Sequence, residues 1–124
     1  MSIFETRVFV TSSAKKIEFF EKKVSIIGEI QGNQIIGKYA KNHDGREIPI
    51  LPAEFVESSM GTGLVMSVPA HAPKDYQALM DLKASNHELA SKIEPIPMIV
   101  TEGYGKYPAK EIGEKLGVSN QSDE

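Results

Sequence analysis

Sixteen residues near the middle of the chain, Gly61–Tyr76, read GTGLVMSVPAHAPKDY. Their first half is apolar and contains branched side chains that favour a β-strand. Pro69 ends that strand, because proline cannot continue a backbone hydrogen-bond ladder. Pro73 fits the first position of a helix, where a missing N–H costs nothing. The stretch therefore predicts a strand over 61–68, a short turn, and a helix over about 74–83.

The sequence on either side predicts more strands, joined by short helices. β-Branched runs indicate strands at 6–11, 24–30, 34–39, 46–51 and 96–101. Capping residues or proline indicate helices at about 12–22, 86–92 and 108–116. This order predicts an α+β fold, with a small β-barrel or strongly curved sheet and peripheral short helices.

Turns and core positions complete the predicted layout. A turn at Gly32-Asn33 would make strands 24–30 and 34–39 a hairpin, and a second turn is expected at His43-Asp44-Gly45. Gly117 is the predicted stop of the last helix. Apolar side chains three or four positions apart share a helix face. The predicted core residues of the two longer helices are Tyr76, Leu79, Met80, Ala109, Ile112 and Leu116.

Composition narrows the classes of function. The chain has 124 residues, which is one domain by size, and 14 basic against 17 acidic side chains give a net charge of −3. Domains that bind nucleic acid mainly through electrostatic attraction are usually basic, so this net charge argues against that class. It still permits a local pocket that binds the end of a nucleic acid. Cysteine is absent, which excludes disulfides and thiolate catalysis. No apolar run approaches the roughly 18 residues of a membrane span, so we expect a cytoplasmic domain.

The spacing of the histidines, serines and glycines predicts no metal site, no serine nucleophile and no phosphate-binding loop. The three histidines, His43, His71 and His87, have no clustered third ligand, so no metal site is expected. No serine lies in a nucleophile elbow. The glycine-containing run 61–63 lacks the lysine of a phosphate-binding loop, which favours a bend entering a strand.

Asp75 admits two interpretations. It falls near the third position of the predicted helix, where a carboxylate complements the helix dipole and contributes about 0.3–1 kcal/mol. It also follows an apolar strand, at a sheet end where a carboxylate could bind an ammonium group. Spacing by itself favours the first interpretation.

The same stretch, 61–76, closely resembles the signature of the editing domain of leucyl-tRNA synthetase, an insertion in the catalytic core of that enzyme. The Ala72-Pro73 pair after the histidine is similar to the archaeal and eukaryotic type. Two flanking parts of the chain resemble that type in the family's order: IGKY at 36–39 with ILPAEFV at 50–56, and EGYGKYPAKEI at 102–112. The resemblance covers roughly residues 35–118.

The resemblance implies hydrolytic proofreading of tRNA(Leu) that carries isoleucine or norvaline. In a hydrophobic synthetic site, two side chains that differ by one methylene differ in binding free energy by only about 1–3 kcal/mol. A second site that hydrolyses the wrong products is therefore needed. By resemblance, Asp75 anchors the α-ammonium group of the wrong amino acid while a bound water attacks the ester. The resemblance implies no covalent nucleophile and no cofactor in this chain. ATP and magnesium serve the synthetic core, whose motifs are absent from this sequence.

The resemblance also implies a set of substrate-binding residues. Met66 and Val68 line the pocket for the amino-acid side chain. Thr62 and Leu64 share their face of the predicted strand, because strand side chains alternate. His71 lies beside the pocket, where it contacts the terminal ribose and is not a general base.

One family feature does not occur in the sequence. The family's editing pocket has a second wall, a threonine-rich strand with a Thr-Arg-Pro-like run, in which one threonine excludes leucine. No such run is found here. We therefore expect residues 1–118 to form a partial editing domain and 119–124 a flexible tail. The expected partners are the 3′ end of misacylated tRNA(Leu) and the remainder of a synthetase, with no membrane.

Two other functions remain open. A non-catalytic, truncated homologue would keep the fold and bind a tRNA 3′ end or a protein partner. A freestanding deacylase would rebuild the missing wall by self-association through an exposed sheet edge.

Overall fold

The computed structural model describes residues 27–42, 44–57 and 64–119. The strand predicted at 6–11 and the helix predicted at 12–22 lie outside these residues, as do Thr62 and His43.

The chain divides into two units. One comprises residues 1–31 and 56–66, and the other comprises 32–55 and 67–124. Every regular element of the described residues lies in the second unit, and together they make an α+β arrangement, as predicted. In chain order these elements are a 3₁₀ helix Gly32–Gln34, strands β1 (Tyr39–Lys41) and β2 (Glu47–Pro49), and helices α1 (Pro73–Ala84), α2 (Glu88–Ser91) and α3 (Pro108–Leu116). None of the helices in the described ranges is long and apolar enough to cross a membrane.

Strands β1 and β2 form an antiparallel hairpin, with Ala40 opposite Ile48. The turn between them is stabilised by the Asp44 carboxylate, which accepts hydrogen bonds from Nε of Arg46 at 2.9 Å and from its backbone N–H at 3.0 Å. Gly45 adopts a φ of 86°, a left-handed conformation that favours glycine. The predicted turn at this point is therefore confirmed for its described residues.

The other predicted hairpin, between 24–30 and 34–39, is wrong over the described residues. Residues 27–30 form no strand, and the 3₁₀ helix takes up Gly32–Gln34. Gly37 then turns the chain with a φ of 83°. Strand β1 therefore starts only at Tyr39, and it pairs with β2, which follows it in the sequence. Within the described ranges the sheet has two strands and is not closed.

The strands predicted at 61–68 and 96–101 are also not formed over their described residues. A strand needs partners for its backbone N–H groups, and here side chains accept some of them instead. The N–H of Val68 donates to the Asp75 carboxylate, and those of Met98 and Ile99 donate to the His71 imidazole.

The longer helices agree with the prediction. Helix α1 begins at Pro73, and helix α3 begins at Pro108 and is followed by Gly117 with a φ of 64°. Helix α2 is shorter than predicted because Asn86 has a φ of 58°, which is incompatible with a right-handed helix, so α2 starts only at Glu88.

A small core lies where α1 packs against α2 and α3. Leu79 and Ala109 are buried as predicted, whereas Tyr76, Met80 and Ile112 are only half-buried. The prediction for Leu116 is wrong, since it is 70% exposed. It stands in the last turn of α3, and the buried residues of that helix, Pro108 and Ala109, are in its first turn. The other buried apolar residues in the described ranges are Ala70 and Ala90.

Candidate functional site

The candidate site is built on a tight turn that leads into helix α1. The carbonyl oxygen of Val68 accepts hydrogen bonds from the N–H groups of His71 at 2.9 Å and Ala72 at 3.0 Å. The buried Ala70 lies within the turn, and its carbonyl accepts the N–H of Ala109 at 3.2 Å. The turn is therefore fixed both by its own bonds and by the start of α3.

Asp75 closes this turn from the helix side. It lies in the first turn of α1, as predicted, where its charge complements the helix dipole. The residue is only 9% exposed, and its Oδ2 accepts the N–H of Val68 at 2.7 Å. Among the described residues, no hydrogen bond to Oδ1 is found. One carboxylate oxygen thus holds the turn while the other can accept a further donor.

His71 projects from the turn to a distant part of the chain. Its Nε2 accepts the N–H of Met98 at 3.0 Å and that of Ile99 at 3.3 Å. Both amides therefore point at the same ring nitrogen, which acts as the acceptor in these two contacts. Sequence reasoning missed this contact because 27 and 28 residues separate the partners.

The structure brings together three of the predicted site residues: Val68, His71 and Asp75. Met66 and Leu64 belong to the other unit of the chain. The predicted strand-face alternation is not seen in the described part, since Met66 is 60% exposed and its neighbour Val65 is 61% exposed. The pocket roles of Thr62, Leu64, Met66 and Val68 remain predictions.

The segment after α2 supplies a second polar contact that sequence reasoning missed. Glu111, in the first turn of α3, accepts the N–H of Gly105 through Oε1 at 2.8 Å. Beside it, the ammonium group of Lys106 lies 5.6 Å from the centre of the Tyr107 ring, within the range of a cation–π contact. Across the described ranges, no group of three or more histidine and acidic side chains could hold a metal ion.

Comparison with known proteins defines the class of this chain. Residues 7–97 match the family described as leucyl-tRNA synthetase, editing domain. That match spans more than half of the chain and includes the turn with Val68, His71 and Asp75. The chain is therefore a member of the editing-domain class.

The similar full-length proteins name the enzyme to which such a domain belongs. The chain is 50% identical to the leucine–tRNA ligase of Methanocaldococcus jannaschii over 118 residues, which is 94% of this chain and 12% of that protein. It is 49% identical over 113 residues to that of Methanococcus aeolicus, covering 90% of this chain and 12% of the relative. The chain is 42% identical over 129 residues to the leucine–tRNA ligase of Pyrococcus abyssi. That alignment covers 96% of this chain and 13% of the relative. The chain belongs to the leucyl-tRNA synthetase editing-domain family and spans about an eighth of the length of these relatives.

Proposed function

We propose that this chain supplies the amino-group anchor of an editing site that hydrolyses misacylated tRNA(Leu). The observation that carries the proposal is the Asp75 carboxylate, which is nearly buried and held by the Val68 N–H through Oδ2 alone. Oδ1 then accepts the α-ammonium group of the misplaced amino acid. A charge-assisted hydrogen bond of this kind is stronger than a neutral one and fixes the ester in one orientation.

The reaction itself is the hydrolysis of an ester by a positioned water. The water oxygen attacks the carbonyl carbon, and the ester carbonyl becomes an oxyanion. Collapse of this intermediate breaks the bond to the ribose oxygen, which takes up a proton that originates from the water. Isoleucine or norvaline and free tRNA(Leu) are the products. The chain contributes orientation of the substrate, and no covalent intermediate is needed.

The side-chain pocket is proposed to include apolar residues that precede the turn. Val68 is 42% exposed beside Asp75, so its apolar surface is open to a ligand bound at the carboxylate. For Met66, Leu64 and Thr62, the roles in the side-chain pocket are carried over from the family resemblance alone. Apolar contacts of this type accept norvaline or isoleucine without a specific polar partner.

A larger sheet is proposed to surround the site. Among the residues that the structure describes, no third strand pairs with the hairpin of β1 and β2, and an isolated two-stranded hairpin is only marginally stable. We infer that residues 1–118 form part of a barrel-like editing domain. Of the tail expected at 119–124, residues 120–124 lie outside the described residues. We propose that this domain is part of a cytoplasmic synthetase, which binds the tRNA.

A second candidate function is non-catalytic binding of a tRNA 3′ end or a protein partner. Exposed apolar side chains between α2 and α3 favour it, because contiguous exposed apolar surface marks interaction sites. Val100 is 97% exposed, and Ile96, Met98 and Ile99 are more than half exposed. Self-association that completes a deacylase would instead use an exposed sheet edge.

The test is hydrolysis of isoleucyl-tRNA(Leu) by the chain, with leucyl-tRNA(Leu) as the comparison substrate. Asp75→Asn keeps an acceptor for the Val68 N–H but removes the charge that binds an ammonium group. We expect it to slow hydrolysis about tenfold to a hundredfold, in line with loss of a charged hydrogen bond. Asp81→Asn is the matched control, since Asp81 is an exposed carboxylate on the same helix.

The outcomes separate the two candidate functions. Hydrolysis that depends on Asp75 and not on Asp81 supports the editing site. A folded chain that binds the misacylated tRNA without cleaving it supports the non-catalytic function. Equal rates for the wild type and Asp75→Asn would contradict the proposed anchor.

A further inference from the structure

A short loop at residues 103–107, directly before α3, carries two tyrosines and a lysine. Tyr104 is 43% exposed, and the ammonium group of Lys106 lies 5.6 Å from the centre of the Tyr107 ring. We propose that this 103–107 loop is a subsite for single-stranded RNA, in which Tyr104 stacks on a base and Lys106 contacts a phosphate. That the strand is the 3′ end of tRNA(Leu) rests on the function proposed above, whereas binding of RNA by the loop does not.

The 103–107 loop is held in its conformation by bonds of its own. The N–H of Gly105 donates to Oε1 of Glu111 at 2.8 Å, and the N–H of Tyr104 donates to the carbonyl of Thr101 at 3.2 Å. Gly103 has a φ of 82°, which favours glycine. A loop that is already ordered loses little conformational entropy when a ligand binds. The tyrosine and the lysine are therefore presented in place.

The 103–107 loop also lies next to the turn that carries Asp75. Ala109 follows the loop by two residues, and its N–H donates to the carbonyl of Ala70, within that turn, at 3.2 Å. Successive Cα atoms are about 3.8 Å apart, so the Cα of Lys106 lies within about 11 Å of that of Ala109. A single strand with its 3′ ester at Asp75 can therefore place a preceding nucleotide on the loop.

The charges around the loop favour an anionic ligand at Lys106. The ion pairs found within the described ranges use other cations, namely Arg46, Lys83, Lys92 and Lys110. The neighbouring carboxylate of Glu111 accepts the Gly105 N–H, and that of Glu102 is exposed. Single-stranded RNA offers a phosphate for the lysine and, beside it, a base whose face stacks on tyrosine. Since the net charge of the chain is −3, binding must depend on these local contacts.

The first test is binding of a labelled single-stranded RNA of about four nucleotides, ending in CCA, to the intact chain at several salt concentrations. Each phosphate contact of a single strand contributes about 0.7 to the slope of log K against log salt. Lys106→Gln should lower the slope by about that amount. Lys115→Gln is the matched control, because it removes the same charge from an exposed lysine in the last turn of α3. An unchanged slope in Lys106→Gln, or an equal drop in both variants, would overturn the proposal.

The second test uses the same RNA and addresses stacking. Tyr104→Leu keeps an apolar side chain but removes the aromatic face, so binding should weaken about tenfold with the salt slope unchanged. Tyr104→Phe keeps the face and should bind as the wild type does. Tyr39→Leu is the control, since Tyr39 is 56% exposed on β1. Wild-type binding by Tyr104→Leu, or an equal loss in Tyr104→Phe or Tyr39→Leu, would contradict the stacking role.

Failure of this subsite and failure of the editing proposal give different results. The unacylated RNA has no ammonium group, so Asp75→Asn should bind it as the wild type does. Without an editing site, Asp75-dependent hydrolysis would be absent while the RNA results stay as predicted. In hydrolysis of isoleucyl-tRNA(Leu), Lys106→Gln should raise KM about fivefold with kcat unchanged, because the contact lies away from the ester. A fall in kcat at unchanged KM would contradict a binding role for Lys106.

Discussion

The backbone N–H of Val68 donates to Oδ2 of Asp75 at 2.7 Å, across seven residues of sequence. The bond ties the end of the apolar stretch to the first turn of α1. It also orients the carboxylate proposed to bind the substrate ammonium group. In the proposed function, stability and substrate binding therefore depend on different oxygens of one side chain.

Removing the Asp75 side chain should destabilise the chain measurably. In Asp75→Ala the Val68 N–H loses a charged acceptor, and we expect the free energy of unfolding to fall by about 1.5–3 kcal/mol. Asp75→Asn should lose less, because its amide oxygen can still accept the N–H. Urea unfolding followed by circular dichroism measures both changes. Equal losses in the two variants would show that the hydrogen bond to Val68 is not the cause.

The left-handed conformation of Gly117 gives a prediction with an internal control. Gly117 has a φ of 64° after α3, so Gly117→Ala should lower the free energy of unfolding by about 1–2 kcal/mol. Gly113 lies inside the same helix, and an added Cβ there would meet no atom within 4 Å. Gly113→Ala should therefore raise the free energy of unfolding by roughly 0.5–1 kcal/mol. Thermal unfolding should show shifts of opposite sign, and shifts of the same sign would contradict this explanation.

Small residues make up most of the buried apolar core in the described part of the chain. Ala109 is fully buried at the start of α3, and Ala109→Leu should cost about 1–3 kcal/mol by overpacking. Ala84→Leu is the control, since Ala84 is exposed at the end of α1. It should change the free energy of unfolding by less than about 0.5 kcal/mol. Denaturant midpoints compare the two variants, and a tolerated leucine at 109 would mean that the core is loosely packed.

The sequence predicted the elements that depend on local signals. Pro73, Pro108 and Gly117 act within one helical turn, so the bounds of α1 and α3 could be predicted closely. The failed strands at 61–68 and 96–101 depended on partners for their backbone donors. A pattern of apolar residues does not predict whether a backbone N–H group will bond to another strand or to a side chain.

The candidate site was predictable in part for the same reason. Family resemblance identified Asp75, and its place in the first turn of α1 followed from Pro73. The contact of His71 with Met98 and Ile99 carries no local signature, because each of these residues is ordinary in its own segment. The bond between Gly105 and Glu111 likewise joins a loop to a helix that starts between them.

That last bond gives a further prediction. Glu111 accepts the Gly105 N–H at 2.8 Å, so Glu111→Ala should speed exchange of that amide about tenfold and cost about 0.5–1.5 kcal/mol of stability. Glu111→Gln keeps an acceptor and should retain most of the protection. Glu114→Ala is the control, because Glu114 is exposed on the same helix and its ion pair with Lys110 spans 4.0 Å, which contributes little. Hydrogen exchange followed by NMR measures the effect at Gly105 directly. Faster exchange in Glu114→Ala as well would show that general fraying of α3, and not the carboxylate of Glu111, controls this loop.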